Sequence, residues 1–288
     1  MSERLDPRIH AYRADLAALA LRGRVEAPRF EAGAAAQIAR PVVPLRKVPD
    51  GSAGFETEAL FGEPVTVYEV ADGWAWVQLA TDGYVGYLPA DTLSREVRDA
   101  THKVKATGTF LYAQPDIKSP PLMHLSLGAQ FVAAETVDRF YRLASRGYVI
   151  ARHVAETAWR DRDFVEVAER LIGTPYLWGG KTRIGLDCSA LVQVSLAACG
   201  IKAPRDSDMQ QAALGAAIDI PADLESLQRG DLLFWNGHTG IMSDSVMLVH
   251  ANSHHMSVSI EPLPEAVLRI KGTGSELVAV KRMAGAAT

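Results

Sequence analysis

A cysteine and two histidines in the C-terminal part of the chain have the chemistry of a nucleophile and its base. Cys188 follows a glycine-containing loop at residues 174–180 and precedes a helix-forming run, 189–198, which ends before Gly200. This pattern predicts a helix that begins at Cys188 and ends near Gly200. Since the partial positive charge of a helix N-terminus stabilises a thiolate, we expect the pKa of Cys188 to lie well below its free value of about 8.5.

The second cysteine, Cys199, lies on the same predicted helix. At 1.5 Å per residue it stands about 16 Å from Cys188. The α-carbons of a disulfide are at most about 7 Å apart, so the two cysteines are not expected to pair. We interpret Cys199 as a small apolar residue near the end of the helix.

The two histidines fall on a predicted meander of short strands. Glycine and polar residues divide residues 230–251 into three short apolar segments, which is typical of antiparallel strands joined by turns. If residues 243–245 form a three-residue loop, His238 stands opposite His250, with β-carbons about 5 Å apart. A nucleophilic cysteine needs a base, and the base needs a group that orients it.

A zinc site is the alternative interpretation of these side chains. Cys188, His238 and His250, with His254 or His255, are ordinary zinc ligands. No short-spaced pair of ligands anchors such a site, so the pattern favours a nucleophile with a base.

A family resemblance appears in six blocks that occur in order over residues 160–285. The blocks are Thr174–Gly180, Leu186–Val192, Pro204–Ser207 with Gln210, Gln228–Leu232, His238–Ile241 and Val249–Ala251. Together they resemble the motifs of the NlpC/P60 family. Those papain-like cysteine peptidases hydrolyse the γ-D-glutamyl to diamino acid bond of bacterial cell-wall peptides. The resemblance implies an α+β catalytic domain with the papain-like fold.

The resemblance also implies catalytic roles. Cys188 would be the nucleophile, His238 the general base and acid, and His250 the group that orients His238. Tyr176 would stabilise the oxyanion together with the backbone N–H of Cys188. This chemistry requires no metal or organic cofactor.

Substrate contacts follow from the same resemblance. In related enzymes the residues that match Asp187, Ser189, Asp206 and Ser207 help to hold the free amine and carboxylate groups of the peptide, and Trp178 is a further candidate contact. Asp187 also fits a helix N-cap, and Asp206 fits a cap of the following helix. The two kinds of role are compatible.

An internal repeat precedes the catalytic part. Gly62 and Trp74 have the same separation as Gly128 and Phe140. In each copy, short alternating apolar segments are joined by glycine turns, which is typical of a small β-barrel. Both copies resemble bacterial SH3 domains, although the second departs from the Gly-Tyr-Val-Gly-Tyr ending of the first.

Two SH3 domains ahead of an NlpC/P60 domain resemble the cytoplasmic γ-D-glutamyl-L-diamino acid endopeptidases that recycle murein peptides. In those enzymes the first barrel closes one side of the active site, so that the substrate must begin with a free L-alanine. This analogy implies that an acid such as Glu58 and a tyrosine such as Tyr87 face the substrate, with Glu56, Glu63 and Tyr84 as competing choices.

The expected organisation has four parts. They are an N-terminal segment at 1–36, with a short amphipathic helix over 9–23 and a linker at 31–36, two SH3 domains at 37–98 and 99–157, and a catalytic domain at 158–288. Trp74 and Trp76 alternate on a predicted strand, and we expect at least one of them in the core.

Composition and charge argue against nucleic acid and membranes as partners. The formal net charge of -4 disfavours nucleic acid, and no stretch approaches the roughly 20 apolar residues of a membrane span. The first residues are acidic in part and lack the apolar core of a signal peptide, and the two cysteines do not pair. We therefore expect a cytoplasmic protein, in which a reactive thiol stays reduced.

Three functions remain open at this point. The first is an endopeptidase that acts on murein peptides containing meso-diaminopimelate or L-lysine. The second is a papain-like acyltransferase or amidase that uses the same residues on another amide. The third is a wall-binding protein whose SH3 domains bind glycan or peptide.

Overall fold

The chain divides into two compact units between Ala158 and Trp159. The computed structural model describes residues 5–221 and 224–283. The first four residues of the expected N-terminal segment and the last five of the expected catalytic domain lie outside the described residues.

The first unit consists of short strands. They are β1 (Leu16–Ala18), β2 (Arg29–Glu31), β3 (Ala34–Ile38), β4 (Val42–Leu45), β5 (Thr57–Leu60), β6 (Pro64–Ala71), β7 (Trp74–Leu79), β8 (Val85–Pro89), β9 (Leu93–Ser94), β10 (His102–Val104), β11 (Gly108–Tyr112), β12 (Pro121–Ser126), β13 (Gln130–Phe131), β14 (Ala133–Val137), β15 (Phe140–Leu143), β16 (Tyr148–Ile150) and β17 (Val154–Glu156).

The pairing of these strands repeats within the unit. In the first set, β3 pairs with β6 and β9, β4 with β5, and β7 with β6 and β8. In the second set, β10 pairs with β13 and β17, β11 with β12, and β15 with β14 and β16. The strands β13 and β14 together take the place of β6. A 3₁₀ turn precedes the last strand of each set, at Ala90–Thr92 and Ala151–His153.

Backbone geometry repeats at the turns as well. Gly62 and Gly128 have φ angles of 78° and 88°, and Asp72 and Asp138 have φ angles of 50° and 53°. Aspartate tolerates the left-handed region better than most residues because its short polar side chain bonds locally. Each strand set has its own apolar core, the first around Leu45, Val77 and Leu88 and the second around Leu111, Leu125 and Val149.

The prediction of a helix over residues 9–23 and of a linker at 31–36 is wrong. The structure has strand β1, a 3₁₀ turn at Leu19–Leu21, and strand β3 in their place. Three successive residues, Leu16, Ala17 and Ala18, are all buried, which is incompatible with a helix that buries one face. Tertiary packing decides the conformation, because this segment lies against Trp76 in one apolar cluster.

Trp76 therefore anchors the N-terminal segment to the sheet. Its ring is 4% exposed and packs with Ala11, Leu16 and Leu21, and the guanidinium of Arg13 lies 4.7 Å from the ring centroid. Trp74, two residues earlier on the same strand, is only half-buried. The expectation that at least one of the two lies in a core is confirmed.

We expect Trp76→Ala to destabilise the first unit by about 3–5 kcal/mol, the usual cost of truncating a buried aromatic side chain. Trp74→Ala is the matched control and should cost clearly less. The midpoint of thermal unfolding of the full chain, followed by calorimetry, measures both. Equal shifts for the two variants would contradict the packing role of Trp76.

Within the residues that the structure describes, the second unit combines four helices with an antiparallel sheet. The helices are α1 (Phe164–Glu169), α2 (Cys188–Ala198), α3 (Ser207–Ala213) and α4 (Leu263–Gly272), and the strands are β18 (Lys181–Thr182), β19 (Gly185–Leu186), β20 (Ala216–Ile218), β21 (Leu232–Trp235), β22 (His238–Met242), β23 (Met247–Asn252), β24 (Ser257–Pro262) and β25 (Leu277–Arg282). The six-stranded sheet has the order β20-β25-β21-β22-β23-β24.

Both faces of this sheet are covered by helices. Residues of α1 and α2 pack on one face against Phe234, Ile241 and Val249, while α4 packs on the other face against Trp235 and Leu248. None of the helices that the structure describes has the length and apolar character needed to cross a bilayer.

Candidate active site

Cys188 is the first residue of α2, as the sequence predicts. The preceding residue, Asp187, is the N-cap, and its Oδ1 accepts a hydrogen bond of 2.8 Å from the N–H of Ala190. The helix ends at Ala198, followed by Gly200 with a φ of 81°. A carboxylate at this position satisfies a first-turn N–H and interacts favourably with the positive end of the helix.

Asp187 does more than cap the helix. Both of its oxygens accept hydrogen bonds from the guanidinium of Arg205, at 3.0 and 2.7 Å, and Oδ2 also accepts from the N–H of Gly179 at 2.9 Å. Ser189 donates its hydroxyl to Oδ1 at 3.3 Å and accepts from Arg205 at 2.9 Å. Arg205 is only 1% exposed. The buried ion pair thus joins the loop before Cys188, the helix α2 and the segment before α3.

The thiol of Cys188 is buried against strand β22. Its sulfur receives hydrogen bonds from the backbone N–H groups of Thr239 and Ser189. Burial raises the pKa of Cys188 to about 12, and the negative charge of Asp187 acts in the same direction. The expected depression of the pKa is wrong, because the desolvation of the thiolate outweighs the N–H donors at the helix N-terminus.

Tyr176 lies close enough to the thiol for the two groups to interact electrostatically. The half-buried tyrosine is held by its backbone, which pairs with Leu186 and donates its N–H to the carbonyl of Met256 at 2.9 Å. Burial raises the pKa of Tyr176 to about 12, with further contributions from Cys188 and Asp187. The phenol therefore remains protonated and able to donate a hydrogen bond.

His238 and His250 are in direct contact, although the predicted register is wrong by two residues. Ile241 pairs with Val249, so that His250 stands opposite Gly240 and diagonal to His238. The distance from His238 Nε2 to His250 Nδ1 is 2.8 Å, and the ring centroids are 5.1 Å apart.

Two local features explain the shifted register. Ser243 belongs to the ladder and donates its N–H to the carbonyl of Met247 at 2.8 Å. The loop is residues 244–246, and the carboxylate of Asp244 accepts hydrogen bonds of 2.7 Å from the N–H groups of Val246 and Met247. This turn, held by the side chain of Asp244, replaces the three-residue loop at 243–245 that the sequence predicts.

Gly240 makes room for the diagonal contact of the histidines. A Cβ atom at this position would lie 3.1 Å from the Cβ of His250 and 2.8 Å from Cδ1 of Leu248. Both distances are shorter than ordinary van der Waals contacts. A glycine is therefore needed beside His250.

A carboxylate that lies outside the six sequence motifs continues this chain of hydrogen bonds. Glu261 on β24 lies 2.6 Å from His250 Nε2 through its Oε1 and is also hydrogen-bonded by Arg269 of α4. The signal that points to Glu261 is the alternation of side chains along the strands. Glu261 pairs with Leu248, so the two side chains lie on one face of the sheet, and His250, two residues after Leu248, lies on the same face. Arg205 lies within the Pro204–Ser207 motif, but the sequence alone does not indicate its pairing with Asp187.

Burial also lowers the pKa of both histidines. The pKa of His238 falls to about 3, mainly by burial and secondarily through His250, and burial lowers that of His250 as well. Both rings are therefore neutral at pH 7. Because both nitrogens of His250 are already engaged, by His238 and by Glu261, this ring offers no lone pair to the zinc ion of the alternative interpretation.

The remaining predicted site residues are distributed as follows. Trp178 is 66% exposed, and Asp206 and Ser207 are half-buried at the start of α3, where Asp206 holds the N-cap position without a side-chain capping hydrogen bond. In the first unit, Glu58 is buried, and the hydroxyl of Tyr87 accepts a hydrogen bond of 2.8 Å from Arg13. Substrate contact by these five residues stays a prediction.

We expect Arg205→Met to destabilise the second unit by about 3–5 kcal/mol, since it leaves the buried carboxylate of Asp187 without its cation. The double variant Asp187→Asn, Arg205→Met should recover part of this loss. Thermal unfolding of the full chain measures the effect. Lys271→Met is the control, because its pair with Glu276 is exposed and contributes at most about 1 kcal/mol. A loss for Arg205→Met no larger than for Lys271→Met would contradict the role of the buried pair.

Comparison with known families agrees with the resemblance of the six sequence blocks. Residues 173–273 match the model of the NlpC/P60 family, and residues 45–93 match the SH3 domain of bacterial dipeptidyl-peptidases. The NlpC/P60 match thus covers the residues from the Tyr176 loop to α4, and the SH3 match covers most of the first set of strands.

Curated relatives resemble most of the chain. This chain is 28% identical over 241 residues to dipeptidyl-peptidase 6 of Lysinibacillus sphaericus. The aligned region covers 75% of this chain and 87% of the relative. This chain is 26% identical over 254 residues to γ-D-glutamyl-L-lysine dipeptidyl-peptidase of Bacillus subtilis. The aligned region covers 79% of this chain and 80% of that relative.

A solved structure has the same fold. The crystal structure of an NlpC/P60 family protein from Bacillus cereus superposes with a TM-score of 0.71 and 21% sequence identity, over 86% of this chain and 99% of that chain. The second unit therefore has the papain-like fold of these peptidases. The chain is a cysteine peptidase with an NlpC/P60 domain and, ahead of it, a bacterial SH3 domain.

Proposed function

We propose that this protein is an endopeptidase that hydrolyses the bond between γ-D-glutamate and a diamino acid in murein peptides. The diamino acid is meso-diaminopimelate or L-lysine, and the preferred peptides begin with a free L-alanine. Two relatives named γ-D-glutamyl-L-lysine dipeptidyl-peptidase, from Bacillus cereus and Bacillus subtilis, support this substrate class. The reaction belongs to the recycling of cell-wall peptides.

One observation carries the proposal. The thiol of Cys188 receives the N–H of Thr239, the residue next to His238, while His238 is hydrogen-bonded to His250. The residue proposed as the nucleophile and the residues proposed as its base and orienting group thus lie on neighbouring elements, where the N-terminus of α2 contacts the first residues of β22. This arrangement has the logic of a cysteine nucleophile activated by an oriented base.

The first step is attack on the amide carbonyl. Because burial keeps both the thiol and the imidazole neutral, we propose that His238 takes the thiol proton as the sulfur of Cys188 attacks the carbonyl carbon. The carbonyl π electrons move to oxygen, and a tetrahedral oxyanion forms. His250 holds the ring of His238 in position during this transfer.

The oxyanion needs hydrogen-bond donors that are already in place. We propose that the phenol of Tyr176 and the backbone N–H of Cys188 supply them. The raised pKa of Tyr176 supports this role, because a protonated phenol is a donor over the whole physiological pH range.

The remaining steps use the same groups. Protonated His238 gives its proton to the amine of the diamino acid as the carbon–nitrogen bond breaks, which leaves a thioester on Cys188. Water then attacks the thioester, with His238 as the base, and releases the γ-D-glutamyl product and the thiol.

Asp187 and Ser189 contribute chiefly by positioning. Five donors already surround the two carboxylate oxygens of Asp187, which offer about four lone-pair sites. We propose that this pair and Arg205 fix the N-terminus of α2, and that Asp206 and Ser207, both half-buried, contact the polar groups of the peptide.

The second strand set is proposed to be a second SH3-like domain. The repeated pairing order and the repeated φ angles at Gly62, Gly128, Asp72 and Asp138 support this interpretation. We propose domain limits of 37–98 and 99–157 for the two copies and 158–288 for the catalytic domain. We further propose a cytoplasmic location, where a catalytic thiol stays reduced.

The substrate is tested by mass spectrometry of products from L-Ala-γ-D-Glu-meso-diaminopimelate. We expect release of L-Ala-D-Glu from this peptide, and no cleavage of the same peptide after N-acetylation. Cleavage of both would contradict the requirement for a free L-alanine. Cleavage of neither would contradict the endopeptidase proposal, and an acyl-amine adduct formed with an added amine would indicate an acyltransferase.

The nucleophile is tested by Cys188→Ala. We expect complete loss of turnover, since no other thiol can form the thioester, with an unchanged thermal unfolding midpoint. Cys199→Ala is the matched control on the same helix and should retain activity. Residual turnover in Cys188→Ala would exclude covalent catalysis by this residue.

Tyr176→Phe tests the oxyanion donor. Removal of one such donor typically costs about 10²- to 10³-fold in kcat, and KM should change little because the interaction strengthens only in the transition state. Steady-state kinetics on the tripeptide separates the two parameters. A rise in KM with unchanged kcat would assign Tyr176 to ground-state binding instead.

A further inference from the structure

A buried carboxylate ends a chain of hydrogen bonds that starts at His238. His238 Nε2 lies 2.8 Å from His250 Nδ1, and His250 Nε2 lies 2.6 Å from Oε1 of Glu261. Arg269 donates to the same carboxylate. The register of β22, β23 and β24 puts both histidines and Glu261 on the face of the sheet that α4 covers.

The charge of Glu261 is fixed by its neighbours. Its side chain is 11% exposed, which by itself raises the pKa, but hydrogen bonds from His250 and Arg269 outweigh burial and lower the pKa of Glu261 to about 2. His255 also faces it, with Nδ1 3.9 Å from Oε1. Glu261 is therefore a carboxylate at pH 7, and a carboxylate can only accept hydrogen bonds.

This restriction determines where the protons of the two neutral rings lie. Since Glu261 can only accept, Nε2 of His250 carries the hydrogen. A neutral imidazole has one N–H, so Nδ1 of His250 is an acceptor, and Nε2 of His238 must donate to it. Nδ1 of His238 is then left with a free lone pair.

We propose that Glu261, held in place by Arg269, is a positioning residue that sets the tautomers of His250 and His238 and so leaves Nδ1 of His238 unprotonated as the base for Cys188. This inference rests on the proposed cysteine peptidase mechanism and extends its machinery by a fourth residue. When His238 accepts the thiol proton, the negative charge of Glu261 also stabilises the imidazolium through His250. That electrostatic contribution acts through the intervening ring, without contact with the substrate.

The tautomers can be observed without substrate. The experiment uses the full chain with ¹⁵N-labelled histidine in the Cys188→Ala background, and the resonances of His238 and His250 are assigned by His238→Gln and His250→Gln. Long-range ¹H–¹⁵N spectra at pH 7 should show both rings protonated at Nε2. An N–H at Nδ1 of His238 in the parent would overturn the proposal.

Two variants distinguish the hydrogen-bond acceptor of Glu261 from its negative charge. Glu261→Gln keeps the shape and an acceptor oxygen, while the double variant Glu261→Met, Arg269→Met removes the acceptor without leaving an unpaired buried cation. We expect a mixture of tautomers in the double variant and a smaller change in Glu261→Gln. Glu265→Gln, which removes an exposed carboxylate of α4, is the matched control and should leave the spectra unchanged.

Kinetics of the same variants with an intact Cys188 complete the test. We expect kcat for the tripeptide to fall about 10- to 100-fold in the double variant, less in Glu261→Gln, with KM little changed, in line with the usual cost of losing a residue that orients a ligand or base. Tautomers that stay as in the parent in both Glu261 variants would overturn the proposal. If the proposed peptide is not a substrate, the parent itself is inactive, while the spectra still decide the tautomers.

Discussion

The buried carboxylate of Asp187 is the constraint on which the active site depends. It stands at the N-terminus of α2, immediately before Cys188, where its side chain is only 10% exposed. A charge in such a place must be paired and fully hydrogen-bonded, or it destabilises the fold by several kcal/mol. Arg205 neutralises it with two hydrogen bonds, and the N–H groups of Gly179 and Ala190 and the hydroxyl of Ser189 use the remaining acceptor capacity. The position of Cys188 is therefore fixed by electrostatics as well as by the helix.

The sheet brings together groups from its two faces. The helix that carries Cys188 packs on one face, while the histidines and Glu261 belong to the face under α4. The thiol meets the sheet at the backbone of Thr239, directly beside His238. Because His238 is the first residue of β22 and Thr239 the second, one peptide segment presents both an N–H to the sulfur and the imidazole that we propose as the base. Gly240 then leaves the space that His250 needs on the neighbouring strand.

Burial gives this site its chemical character. It raises the pKa of the thiol and lowers the pKa of both imidazoles, so all three groups are neutral at pH 7. Two ion pairs lie close to them, Asp187 with Arg205 and Glu261 with Arg269. We propose that in this site the proton moves during the attack, when the incoming carbonyl provides a place for the negative charge. Under this proposal the phenol of Tyr176 and the N–H of Cys188 interact with the transition state more strongly than with the ground state.

The sequence by itself determined the local features of this protein. The helix that begins at Cys188, its cap at Asp187 and the strands that carry His238 and His250 all follow from short-range patterns of loop, cap and apolar residues. The order of six motifs also indicated the family whose model matches residues 173–273. Tertiary structure decided the rest. The segment over residues 9–23 is extended because it packs on Trp76, and the two-residue shift of the histidine pair follows from the turn at Asp244. The pKa of Cys188, the pairing of Arg205 with Asp187 and the place of Glu261 depend on burial and on contacts between residues distant in sequence, which no local pattern encodes.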